Sequence, residues 1–177
     1  IRIYNRALSA GEIQTDMNTA ITTASSTTPA TLLGNQTIGS MSESLPQRTA
    51  AAYQAKASAT GQVTSLSVYV DTGSTSTQLV AGIYADNNGH PGSLLAQGAL
   101  SSPVAKAWNE VSLSAATTVN AGTTYWIAIL SPRGTLQFRD KAGTVALPSE
   151  THSSTRLTAL PSTWRTGTIS AGGPLSG

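Results

Sequence analysis

Cysteine is absent from this chain of 177 residues, which removes any disulfide framework and any thiolate metal site. Charge is scarce: Asp, Glu, Lys and Arg make up 10% of the residues, far below the usual quarter, and the formal net charge is only +2. No basic run and no basic stripe interleaved with aromatics occurs, so nucleic acid is not expected as a partner. No apolar stretch approaches the roughly 20 residues of a membrane helix, so membrane insertion is not expected. Histidine is limited to His90 and His152, and the absence of a G-x-S-x-G elbow excludes an α/β-hydrolase. A glycosidase needs two carboxylates roughly 5 to 9.5 Å apart across a cleft. Beyond residue 38 the carboxylates are Glu43, Asp71, Asp86, Glu110, Asp140 and Glu150, and nothing in their spacing singles out a pair. A non-catalytic role is expected.

What the chain has in quantity is Ser, Thr, Ala and Gly arranged around short alternating segments. In GQVTSLSVYV, Leu66, Val68 and Val70 fall on one face, with Ser65, Ser67 and Tyr69 on the other. Leu79, Ala81 and Ile83 repeat the period of two, and Tyr84 takes the opposite face. Such alternation marks strands with one face on a core. The Ser/Thr cluster around Gly73 reads as a hairpin connection between the two, which would set Tyr69 and Tyr84 side by side. Further strands are expected at Thr49–Ala57, Ser93–Gly98, Ala107–Leu113, Thr124–Leu130 and Thr135–Arg139, with weaker ones at Thr155–Leu160 and Trp164–Ile169. Thr124–Leu130 is apolar on both faces, as a central strand is. About eight short strands separated by Gly, Pro and Asn turns predict an all-β fold, an antiparallel β-sandwich or jelly roll, preceded by a short N-terminal strand and helix.

In chain order, Ile1–Tyr4 has the length of one strand, and Ser9 with Glu12 forms a capping box for a helix over residues 10–20 carrying Ile13 and Met17. The run IRIYNRALSAGEIQTDM resembles the closing strand and short helix of a laminin-G-like, concanavalin-type domain, through Tyr4, Arg6, Ala7, Leu8, Ser9, Glu12 and Ile13. The resemblance implies that residues 1–20 are the remnant of a preceding domain and that the chain is a piece of something longer. Residues 21–37 read as a Ser/Thr-rich linker, and 38–177 as the sandwich. The succession GQVTSLSVYVD, LVAGIYADNNGHPGSLLAQG, AWNEVSL and NAGTTYWIAIL is similar to β-sandwich modules of secreted multidomain bacterial proteins. That resemblance implies a secreted or cell-surface accessory module whose partners are a polysaccharide or glycan and the neighbouring domains. The alternative is a structural spacer or adhesion domain without a glycan ligand.

Sugar rings stack their C–H faces on flat aromatic side chains while their hydroxyls seek amides, carboxylates and guanidinium groups. The candidate ligand-binding residues are therefore Trp108, Trp164, Tyr69 and Tyr84 as stacking rings, with Arg165, Asn88, Arg139 and Asp140 as hydroxyl partners. Each ring has a competing place in the core. Trp108 divides evenly between plugging the sandwich and facing a ligand, and Trp164 between loop anchor and open platform. Tyr69 and Tyr84 make a platform only if their face is open to water; if a second sheet covers it, they are core. No cofactor is expected. The segment Asp86–Gly92 echoes a calcium loop, but Gln97 stands where the distal Glu belongs, so a turn with Asn and Gly at positive φ is the expectation.

Overall fold

The computed structural model describes residues 6–18, 30–142 and 147–177, and the expected strand at Ile1–Tyr4 lies outside them. Residues 1–30 and 31–177 form separate units. In the first, the helix α1 spans Ala10–Asn18. Its start is the capping box read from sequence: Ser9 N donates to Glu12 Oε2 at 2.8 Å and Glu12 N to Ser9 Oγ at 3.4 Å. The ion pair with Arg6, followed by the bonds that Ser9 N and Ser9 Oγ donate to Oε2, holds the Glu12 carboxyl at about 2. Ile13 and Met17 are exposed.

The second unit is built from β1 (Met41–Leu45), β2 (Ala50–Lys56), β3 (Gly61–Val70), β4 (Gln78–Asn87), β5 (His90–Ser101), β6 (Ala107–Val119), β7 (Thr124–Arg133), β8 (Leu136–Ala142), β9 (Ser149–His152), β10 (Thr166–Ser170) and β11 (Gly172–Leu175). All named pairings are antiparallel. A five-stranded sheet runs β1-β8-β3-β6 with β11 also on β8, and a six-stranded sheet runs β10-β9-β2-β7-β4-β5. The all-β antiparallel sandwich is thus the fold, with more strands than the eight expected. Three of the extra ones, MSESL, SETH and GGPL, are short and polar or Gly/Pro-containing, so no alternation announces them; pairing with longer strands makes them.

Two expectations are corrected. The β3 and β4 strands are not a hairpin: β3 pairs with β6 and β8, β4 with β5 and β7, so residues 71–77 arch from one sheet to the other. Leu66, Val68 and Val70 therefore share one core with Leu79, Ala81 and Ile83 from the opposite sheet, joined by Val111, Ile127, Ile129 and Phe138. The sandwich also begins before Ile38. Leu33 is buried in that core, and Asn35 bridges Ser176.

A second apolar layer lies on the other face of the six-stranded sheet. Ala50, Ala52, Val80, Tyr84, Trp126, Ala128 and Leu130 meet Leu160 and Trp164 there. The strand expected at Thr155–Leu160 does not form; residues 153–165 instead run as a strap across the sheet. Leu94 N donates to Ser162 O at 2.9 Å, Trp164 N to Gly92 O at 3.0 Å, and Leu157 N to Arg48 O at 2.9 Å. Gly82 permits this close approach, since a β-carbon there would stand 2.7 Å from Leu160 Cδ1 and 2.8 Å from Ala96 O. Beyond it, β4 and β5 end in a two-residue turn with Asn88 at φ 55° and Gly89 at φ 82°, the positive-φ pair expected there.

Candidate functional site

Alternation decides which rings are available. Tyr84 and Trp164, expected as possible stacking rings, are corrected to core: Tyr84 has no exposure and Trp164 has 6%. Their rings pack edge to face at 5.2 Å under the strap, and Trp164 packs likewise on His152 at 5.1 Å. Tyr84 Oη donates to Pro161 O at 2.7 Å, and burial pushes its hydroxyl above the usual range. Tyr84 is thus covered, as a second layer would require, but by the strap of residues 153–165 and not by a second sheet. Burial also lowers the His152 imidazole; Nδ1 accepts from Ser154 N at 2.9 Å, and Nε2 is buried without a partner.

Tyr69 and Trp108 have a different fate. They are register partners on β3 and β6, edge to face at 5.6 Å, on the outer face of the five-stranded sheet. Trp108 is 36% exposed and Tyr69 half-buried. Around them the same alternation sets out Ser67 and Ser65 on β3 and Glu110 and Ser112 on β6. On β8 and β1, Arg139 stands opposite Ser42, and Gln137 opposite Ser44, to which its Nε2 donates at 3.1 Å. Arg139 Nε forms an ion pair with Asp71 Oδ2 at 2.5 Å. Asp71 caps the end of β3, its carboxyl held below the usual range first by Ser42, then by Thr72 N and Arg139. The outcome is an aromatic pair beside a fixed guanidinium, an amide and a field of hydroxyls. Tyr69, Trp108 and Arg139 are thus brought to one face; Glu110 shares it with Trp108 by alternation within one strand, whereas Asp71 and Gln137 join unannounced, because only strand pairing shows which residues of different strands share a face.

The remaining candidates scatter. Asn88 is exposed at the β4–β5 turn, and Arg165 is exposed beside the buried Trp164. Asp140, expected in a hydroxyl-binding loop, is instead in β8, 1% exposed and turned between the sheets. Burial, then the neighbouring Glu43, raises its carboxyl to about 6.

Two further arrangements escape sequence reasoning. His90 Nδ1 bonds Glu150 Oε1 at 2.5 Å, and Thr166 Oγ1 donates to Glu150 Oε2 at 2.9 Å, tying the β4–β5 tip to β9 and β10. The two residues are far apart in sequence, so no motif joins them. Asp86, which opened the apparent calcium loop, accepts from Trp126 Nε1 at 2.8 Å and from Gly89 N at 3.0 Å. Beside it lies a cleft of about 590 Å³ lined by Thr117, Thr118, Thr123, Thr124 and Tyr125.

Comparison with curated proteins and with solved structures finds no match. Residues 53–172, from the second strand to the start of the last, match the family described as Domain of unknown function (DUF4082), and the chain belongs to that family.

Proposed function

We propose that the sandwich is a non-catalytic carbohydrate-binding module acting outside the cell, as an accessory to neighbouring domains of a longer chain. The observation that carries this reading is the Tyr69–Trp108 pair on a sheet face otherwise dressed with hydroxyls, an amide and a fixed guanidinium. A pyranose laid on the Trp108 indole buries its apolar C–H face there, and its equatorial hydroxyls lie in the plane of the sheet, where Gln137, Arg139 and the serines offer donors and acceptors. Strand pairing fixes the backbones of Tyr69, Trp108 and Arg139 relative to one another, so only side-chain ordering is left to oppose binding.

Affinity electrophoresis of the full chain through gels containing a panel of polysaccharides, together with a glycan array, tests the reading. Retardation by at least one glycan is expected, lost in Trp108→Ala and weakened in Tyr69→Phe, with Asn88→Ala unchanged. Absence of retardation by every glycan, or retention in Trp108→Ala equal to the parent, overturns it and leaves the spacer reading.

A further inference from the structure

Both sheets send oxygen atoms into one spot at the open edge of the sandwich. From the five-stranded sheet come Glu43 on β1 and Asp140 on β8, diagonal neighbours on the inner face. Tyr53 on β2 and Ser149 on β9 come from the six-stranded sheet, where they are register partners. Tyr53 Oη donates to Glu43 Oε2 at 3.3 Å. Tyr53 is 3% exposed, Ser149 8% and Asp140 1%. Asp140 Oδ1 is buried with no hydrogen-bond partner. Gly172 closes the spot from β11: a β-carbon there would stand 2.8 Å from Ser149 Oγ and 3.7 Å from Asp140 Oδ2.

Two carboxylates and two hydroxyls form a purely oxygen donor set; the Asp140 carboxyl neighbours Glu43, which is exposed to solvent, while its own Oδ1 is buried without a hydrogen-bond partner. A bare buried oxygen of this kind is costly unless something positive meets it. We propose that Glu43 and Asp140, with the Ser149 and Tyr53 hydroxyls, bind a calcium ion that pins the two sheets together. Hard oxygen ligands suit calcium, which tolerates irregular geometry and completes its shell of 6–8 with backbone carbonyls or water. No three Asp, Glu or His side chains converge anywhere among the described residues, so the site relies on hydroxyls and water and is expected to bind weakly. It lies between the sheets, apart from the Tyr69–Trp108 face, and does not depend on the glycan reading.

The test is thermal unfolding of the full chain at pH 7.5 in EDTA and in millimolar calcium chloride, with terbium luminescence excited through the tyrosine band as the second readout. Calcium at a tenfold excess over its Kd is expected to raise Tm by about 3–5 °C. Terbium should be sensitised and displaced by calcium. The isosteric double variant Glu43→Gln/Asp140→Asn keeps shape while removing both charges and exchanging one acceptor oxygen of each group for an amide donor, and is expected to fold and to lose both responses. No calcium-dependent shift, a shift that persists in the double variant, or terbium emission unaffected by it overturns the site and leaves a carboxyl pair that shares a proton.

Discussion

Replacing Trp164 with Ala separates a ring that holds the fold from one that faces a ligand. Trp164 is 6% exposed, wedged edge to face between Tyr84 at 5.2 Å and His152 at 5.1 Å, and anchors the strap over the six-stranded sheet. Its Nε1 has no hydrogen-bond partner, so no hydrogen bond is lost with the ring. Truncation of a buried Trp costs about 3–5 kcal/mol, to which two lost aromatic pairs contribute, out of a total stability of about 5–15 kcal/mol. Trp108→Ala loses one edge-to-face pair from a ring that is already 36% exposed, and is expected to cost about 1 kcal/mol. Urea unfolding followed by far-UV circular dichroism reads both, with the variants expected to shift the midpoint at constant m. Trp164→Phe should recover much of the loss, because no polar contact is missing in the phenyl variant. A Trp164→Ala protein within about 1 kcal/mol of the parent at unchanged m would refute the covered second layer and return Trp164 to the surface.

Gly82→Val should lift the strap, because its β-carbon meets Leu160 Cδ1 at 2.7 Å and the Ala96 carbonyl at 2.8 Å. A cost of about 1–3 kcal/mol is expected from overpacking, with faster amide exchange at Leu94 and Trp164, and protection equal to the parent at both would contradict it. His152 makes stability fall in acid. Its folded imidazole is held below the ordinary 6.5 by burial, so below that pH the unfolded chain takes up a proton that the folded chain refuses. Unfolding free energy is therefore expected to decline more steeply between pH 7 and 5 in the parent than in His152→Asn, which keeps an acceptor for Ser154 N; parallel slopes would count against the assignment.

The composition and the period of two determined what kind of protein this is. Leu66/Val68/Val70 and Leu79/Ala81/Ile83 point inward as their spacing requires, Tyr125–Leu130 is buried on both faces, the Ser9–Glu12 box opens a helix, and Asn88–Gly89 turns a hairpin. These are local signals: each depends on residues within a few positions, and the backbone obeys them wherever the segment lies. Partners are another matter. An alternating strand reads the same whichever strand it pairs with, so in sequence the arch at residues 71–77 is indistinguishable from a hairpin, and nothing local tells that Tyr69 pairs with Trp108 and not with Tyr84. Short polar strands such as MSESL exist only because a neighbour pairs with them. The burial of Tyr84 and Trp164 beneath residues 153–165, and the meeting of Glu43 with Asp140 across two strands, arise from contacts between segments distant in sequence. Tertiary structure alone decides those, because closing the sandwich fixes which of a strand's two faces is left to the solvent.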